Sequence, residues 1–193
     1  MNDKISQDTI NKALWAACDT FRGTISADTY KDFILTMLFL KYISDVWQDH
    51  YDEYKEQYGD APELIEAMMA TERFVLPKSA SFYALYERRH EPGNGERIDQ
   101  ALHAIEEANG TKLKDAGKSV FQDISFNTDR LGEEKQKNTI LRQLLEDFAG
   151  EDLNLKPSRV GTLDVIGNAY EYLIKNFAAS GGQKAGEFYT PPE

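Results

Sequence analysis

From Ser26 to Tyr58 the chain carries one helical pattern whose first half is apolar on nearly every side. Tyr30, Phe33, Ile34, Met37, Leu38, Lys41, Tyr42 and Asp45 mark one register at spacings of three and four, and Leu35, Phe39, Ile43, Val46 and Trp47 mark a second. A helix with one apolar stripe covers a core from outside, whereas one that is apolar all round has to be surrounded. The pattern therefore predicts a central helix, with Phe33, Leu38, Phe39, Ile43 and Trp47 among its buried residues. Ser26 is placed to cap the free amides with its hydroxyl, and Asp28 complements the dipole of the first turn. Beyond Asp45 the character changes: Asp49, Asp52, Glu53 and Glu56 alternate with Tyr51, Tyr54 and Tyr58 until Gly59 and Pro62 stop the helix. The acidic side chains from Asp45 to Glu56 read as a solvated face, with a magnesium or partner site as the alternative.

The rest of the chain supplies the surrounding helices. Ile10, Leu14, Ala17, Cys18 and Phe21 recur at helical spacing from Asp8 to Phe21, and Arg22-Gly23 ends that element. A short helix from Pro62 to about Ala70 has proline at its first position. Phe74-Val75-Leu76-Pro77 reads as an extended connector, because proline disfavours helix in the residue before it. Two further helices are predicted over Ser79–Arg89 and Glu96–Asn109, separated by the turn-rich Glu91-Pro92-Gly93-Asn94-Gly95, with Asn109-Gly110 closing the latter. Residues 111–132 have no sustained period, and Val120–Phe126 is compatible with an extended segment or a loop with apolar anchors. Glu133–Ala149 is amphipathic through Ile140, Leu141, Leu144, Leu145 and Phe148, and Gly150 closes it. A last helix ends near Phe177, with Val165, Ile166, Ala169, Tyr170, Leu173 and Phe177 inward, before the flexible glycine-rich strip Ser180–Gly186. No convincing sheet is visible.

Charge and special residues narrow the function. The 193 residues carry a net charge of -11, which argues against a protein that coats nucleic acid. Residues 41–72 account for most of it, with 2 basic and 9 acidic side chains, whereas residues 73–120 hold 8 basic and 7 acidic. The longest apolar run, Phe33 to Leu40, is too short for a bilayer, which needs about 20 residues. With no signal-peptide core at the N-terminus, the expected location is the cytoplasm, with no membrane contact. The single cysteine, Cys18, excludes an intrachain disulfide and any cysteine-cluster metal site, and it reads as a small packed side chain. His50, His90 and His103 have no three- or four-residue spacing, so no metal site is expected. Neither G-x-x-x-x-G-K-[ST] nor G-x-G-x-x-G occurs. Arg88, Arg89 and Arg97, together with Lys112, Lys114 and Lys118, form basic groups near Tyr83, Tyr86 and two turns. They are ordinary surface charge or phosphate contacts.

The C-terminal Gly186-Glu187-Phe188-Tyr189-Thr190-Pro191-Pro192-Glu193 places two aromatics before a Thr-Pro-Pro step, behind the glycine strip. Aromatic groups of that size normally pack. The segment reads as the first residues of a second unit, the alternative being a tail that docks on its own domain.

Several strings carry a family resemblance: Leu14-Trp15-Ala16-Ala17, Phe21-Arg22-Gly23, Tyr30-Lys31-Asp32, and above all Leu38-Phe39-Leu40-Lys41-Tyr42-Ile43-Ser44-Asp45. Ile98-Asp99-Gln100-Ala101, Ile105–Asn109 and Asp164-Val165-Ile166-Gly167-Asn168-Ala169-Tyr170-Glu171-Tyr172-Leu173 agree, as does Gly186–Pro191. With these the chain resembles the N-terminal domain of the modification (M) subunit of type I restriction-modification systems. The resemblance implies an all-α, irregular multi-helix bundle over 1–178. Residues 179–193 would then be a linker and the start of an α/β methyltransferase domain. It implies a site-specific DNA adenine-N6 methyltransferase whose full-length form uses S-adenosyl-L-methionine, with Glu187, Phe188, Tyr189, Thr190, Pro191 and Pro192 in the cofactor-contact motif. It implies a specificity subunit, a second M subunit, a restriction subunit and double-stranded DNA as partners, and a role for the helical domain in clamping DNA. The sequence contains no N-P-P-[FY] tetrapeptide and no glycine-rich cofactor strand, so the chain reads as a truncated protein or fragment that is inactive by itself. The competing reading is a helical adaptor with no nucleic-acid role, supported by the pI near 4.8.

Overall fold

A single 32-residue helix, Ala27–Tyr58, organises the protein. At 1.5 Å per residue it is about 48 Å long, and its N-terminal half runs through the core. The structure, a computed structural model, describes residues 5–72, 74–110, 124–160 and 164–185, the side chains of 166 and 180–185 excepted. Among the described residues there are eight α-helices and no strand, as the resemblance implied. They are α1 (Gln7–Ala17), α2 (Ala27–Tyr58), α3 (Pro62–Met69), α4 (Phe82–Glu87), α5 (Asn94–Asn109), α6 (Glu134–Phe148), α7 (Pro157–Val160) and α8 (Val165–Ala185). Helices α3, α4, α6, α7 and α8 all touch α2, and α1 packs on α6 and α8.

The core follows the expected registers. Ile10, Leu14 and Ala17 of α1, Phe33, Ile34, Met37, Leu38, Leu40 and Ile43 of α2, and Leu141, Leu144, Leu145 and Phe148 of α6 are all buried in one cluster. Phe39 and Trp47 are half-buried against it, so two of the five expected contacts of α2 lie at its margin. Helix α8 presents Val165, Ala169, Leu173 and Phe177 inward, and Phe177 meets Trp15 and Tyr30 with ring centroids 5.6 Å apart in each case. Tyr170, expected inward, is 44% exposed, and Ile174 is 38% exposed. The buried stripe steps by four residues, which leaves those two positions one face over.

Polar groups of α2 decide how the other elements attach. Lys41 Nζ donates to Asp45 Oδ2 (2.7 Å) and to the Leu153 carbonyl (2.6 Å), while Asp45 accepts from the Leu155 amide (2.8 Å) and the Tyr83 hydroxyl. Ser44 Oγ accepts from the Phe82 amide at 2.8 Å. Lys41, Ser44 and Asp45 thus fasten both the start of α4 and the loop after α6 to the central helix, which explains three polar residues inside an apolar run. The expectation that Asp45 begins a solvated face is therefore corrected: it is fully buried. Asp49 is also committed, accepting from the Ser158 amide (2.9 Å) and hydroxyl (2.8 Å) at the start of α7. The solvated face starts at Asp52.

Several element ends differ from the sequence expectation for local reasons. Helix α1 stops at Ala17 and tightens into a 3₁₀ turn, Cys18–Thr20, where the Thr20 hydroxyl turns to Asp147. Ser26 is the N-cap of α2 by position, but its hydroxyl pairs with Thr29 Oγ1 (3.2 Å) and caps no amide. The helix expected over Ser79–Arg89 is a 3₁₀ turn, Lys78–Ala80, followed by α4. Ser81 breaks it by adopting an extended backbone and capping the Ala84 amide at 3.1 Å. Helix α5 begins at Asn94, two residues early, behind Gly93 with φ +86°. Helix α8 continues to Ala185, so Ser180–Ala185, expected as part of a flexible strip, is helical. The boundary expected at 178/179 falls inside it.

Two connectors are held by single side chains. Asn109 donates to the Val75 carbonyl (2.8 Å) and accepts from the Val75 amide (2.7 Å), pairing with the extended 74–77 connector as a neighbouring strand would. Asp99 accepts from the Phe126 amide (2.7 Å) and the Ser125 hydroxyl (2.6 Å), which seats Phe126 edge-on against Phe33 with centroids 5.0 Å apart. Phe126 is thus an apolar loop anchor; residues 120–123 lie outside the described residues.

Candidate nucleic-acid interface

The α4–α5 turn gathers three of the six cations assigned to DNA from the sequence. Arg88 and Arg89 follow the last turn of α4, and Arg97 lies on the first turn of α5, reaching back over the intervening residues. Arg97 Nη2 donates to the carbonyls of Arg88 (2.8 Å) and Glu91 (3.1 Å) and to Asn94 Oδ1 (2.6 Å); its Nη1 takes the Pro92 carbonyl. Those carbonyls belong to a turn, where no helix ladder satisfies them. The guanidinium is the fastener of the turn.

Asn94 and Asn138 extend that fastening to α6. The Asn94 amide donates to Asn138 Oδ1 (2.8 Å), Asn94 Nδ2 donates to the Arg89 carbonyl (2.8 Å), and Asn138 Nδ2 donates to the Glu91 carbonyl (3.1 Å). Gly95 completes the fit, since a Cβ there would stand 2.7 Å from the Phe126 carbonyl oxygen. The spot where the cations meet is thus rigidly built.

Charge at the turn is largely balanced. Arg89 lies over the Tyr86 ring, 3.8 Å from its centroid, and pairs with Glu146 at 3.1 Å. Arg88, more than half exposed, pairs with Glu91 at 3.0 Å. That hydrogen bond raises the Arg88 guanidinium and lowers the Glu91 carboxyl from their ordinary values. Burial, then the neighbouring Arg88 charge, pushes Arg97 down. Of the three, Arg88 alone combines high exposure with a partner that solvent also reaches, so its carboxylate is exchangeable for another anion. The sequence shows the Arg88–Glu91 spacing, but nothing in it pairs Arg89 with Glu146, 57 positions away. Lys112, Lys114 and Lys118 lie outside the described residues, as do Glu187, Phe188, Tyr189, Thr190, Pro191 and Pro192.

An all-helical domain whose last helix enters a methylase segment is the class these features define: residues 161–193 match the N-6 DNA Methylase family, which takes in α8. Residues 10–148, from α1 through α6, match the HsdM N-terminal domain, and the chain belongs to that family, the N-terminal domain of type I restriction-modification M subunits. Among relatives, the type I restriction enzyme MpnII methylase subunit of Mycoplasma pneumoniae is 25% identical over 95% of this chain and 37% of its own length. The MjaIX methylase subunit of Methanocaldococcus jannaschii is 25% identical over 92% of the chain and 32% of its own. The solved methyltransferase subunit of a type I restriction-modification system from Streptococcus thermophilus superposes with a TM-score of 0.71 at 28% identity, over 96% of this chain and 41% of that one. The chain thus spans well under half the length of these relatives. Among the described residues no helix is long and apolar enough to cross a membrane.

Proposed function

We propose that this chain is the DNA-holding and assembly domain of an S-adenosyl-L-methionine-dependent DNA adenine-N6 methyltransferase subunit. In this reading it works in the cytoplasm with a specificity subunit, a second M subunit and a restriction subunit, on double-stranded DNA. The observation that carries the reading is the contiguity of the two family matches, residues 10–148 and 161–193. Helix α8 lies in the methylase match and packs its buried stripe on α1 and α2. Tyr170 and Ile174, exposed on that same helix, would be covered by the methylase domain. The glutamate-to-proline motif Glu187–Pro192 would line the cofactor pocket of the full-length protein. Residues 1–178 would form the helical unit, and 179–193 the passage into the catalytic domain.

Within the domain, Arg88 is the phosphate contact the geometry favours, exchanging Glu91 for a DNA phosphate, while Arg89 and Arg97 shape the turn that presents it. Lys112, Lys114 and Lys118 are the second group. Such contacts position DNA and carry no sequence information. The test uses the full-length subunit with its specificity subunit, in a DNA-binding titration over salt and a methyl-transfer assay with labelled cofactor. The complex should methylate adenine, and Arg88→Ala should lower the slope of log affinity against log salt by roughly one per subunit for all DNA sequences alike. An unchanged slope after Arg88 and the three lysines are all neutralised would remove DNA from this domain's role and favour the helical protein–protein adaptor.

A further inference from the structure

The distal half of α2 leaves the core and, with α3 folded back on it, forms a projecting arm. From Asp52 to Leu64 every residue except Tyr54 and Ala61 is exposed. Residues 52–66 hold six carboxylates against one lysine. Ile65 and Met69 are buried, but outside the main core, where α3 lies along α2. At the foot of the arm is a cavity of about 150 Å³, walled by Tyr42 and Trp47 of α2, Met69 of α3 and Phe74 of the connector, with His50 and Glu72 at its rim. The Glu72 carboxylate is held in place: the Tyr54 hydroxyl donates to it at 2.6 Å, and His50 Nδ1 lies 3.3 Å away. No lysine or arginine is among the described residues that line the cavity.

We propose that this cavity is a docking pocket for one arginine side chain carried on a basic segment of a partner protein. Apolar walls accept the aliphatic stem of such a side chain, and aromatic faces attract its cationic head. The fixed carboxylate of Glu72 provides a directional acceptor. A guanidinium fits better than an ammonium because it is planar, weakly hydrated and stacks on indole. The surplus of five negative charges on the arm supplies complementarity for the rest of a basic segment and repels a nucleic acid. The proposal stands independently of the methyltransferase reading.

The 193-residue chain, labelled with ¹⁵N, is titrated with a capped pentapeptide of lysine, glycine, arginine, glycine and lysine, and with its counterpart carrying citrulline for arginine. Citrulline keeps the shape and loses the charge. The Trp47 indole N–H should shift saturably with the arginine peptide while that of Trp15 stays fixed, and the citrulline peptide should bind at least tenfold more weakly. Glu72→Gln should erase the preference for arginine. Val46→Phe, which narrows the cavity without changing charge, should abolish the Trp47 response and serves as the test if Glu72→Gln disturbs the arm. Equal shifts with both peptides, an unmoved Trp47 with shifts scattered along Asp52–Glu66, or no shift at all would each overturn the proposal. So would sedimentation showing that two copies of the chain pair across this face.

Discussion

Lys41 and Asp45, one turn apart on α2, form an ion pair at 2.7 Å in which the two side chains are 2% and 0% exposed. Burial pushes the Lys41 ammonium below its ordinary range, and Asp45 pulls the other way. Because Asp45 also holds Leu155 and Tyr83, and Lys41 holds Leu153, the pair joins three segments: α2, α4 and the loop after α6. Asp45→Ala would leave the buried Lys41 ammonium with only the Leu153 carbonyl and take the acceptor from the Leu155 amide and the Tyr83 hydroxyl, and a loss of about 3–5 kcal/mol is expected in urea unfolding. Lys41→Met combined with Asp45→Asn removes both charges and keeps an acceptor for the Leu155 amide. The double variant should lose less than Asp45→Ala; an equal or greater loss would show that the attraction outweighs the desolvation.

Asn109 should tolerate no substitute. Asn109→Asp is nearly isosteric, but it can no longer donate to the carbonyls of Val75 (2.8 Å) and Ile105 (2.7 Å) and sets a negative charge against both. About 1–3 kcal/mol should be lost in urea unfolding, the Val75 amide keeping its acceptor while both carbonyls lose their donor.

Gly95 is predicted to be equally intolerant, for a steric reason. Gly95→Ala places a methyl group 2.7 Å from the Phe126 carbonyl oxygen, and the Asp99-held loop has little room to retreat. Overpacking of this kind costs about 1–3 kcal/mol. Calorimetry on Gly95→Ala checks it, with Gly150→Ala, whose nearest contact is an ordinary 3.6 Å, as the control.

Cys18 provides a pH test. It is fully buried, and burial pushes its thiol up to about 12 from an ordinary value of 9.0, with Arg22 opposing weakly. The folded chain therefore keeps a proton that the unfolded chain sheds above pH 9. The stabilisation is complete below pH 9 and is lost as pH rises from about 9 to about 12, by up to about 1.4 kcal/mol per pH unit. Cys18→Ala lacks this loss, so the wild-type chain should fall relative to the variant between pH 9 and pH 11 in matched urea titrations. At pH 8, thiol reagents should modify Cys18 only as fast as the chain unfolds.

The helices that periodicity located were those whose burial follows from a repeating apolar spacing, α1, α2, α5 and α6 among them, and the residues that stop α2 and α5 act as glycine should, with Gly59 at φ +70° and Gly110 at φ +51°. What periodicity could not supply were the choices made between distant partners. Ser81 ends one helix and starts another because Ser44 takes the Phe82 amide, 38 residues away. A Lys and an Asp on an apolar register read as the edge of a wet face until Leu153 and Leu155 are seen to close over them. The arginines near the α4–α5 turn were legible as cations, but sequence gives no sign that Arg97 is spent on four acceptors of its own turn. The acidic arm was visible as charge, and its foot was not visible as a cavity.

The closure of Leu153 and Leu155 over Lys41 and Asp45 joins positions 110 to 112 apart in the chain. A helical protein with mainly neighbouring contacts can acquire structure as it leaves the ribosome, but here the first long helix carries two charges that only the far end of the domain can cover. At about 5–20 residues per second, roughly 6 to 20 s pass between synthesis of Asp45 and that of Leu155. During that interval α2 has its apolar surface and its ionic pair open to water, and nascent-chain chaperones have their opportunity there. Slowing translation ahead of codon 155 would lengthen the interval and lower the yield of folded protein, whereas the same delay once α8 has also been made and has packed on α2 would leave it unaffected.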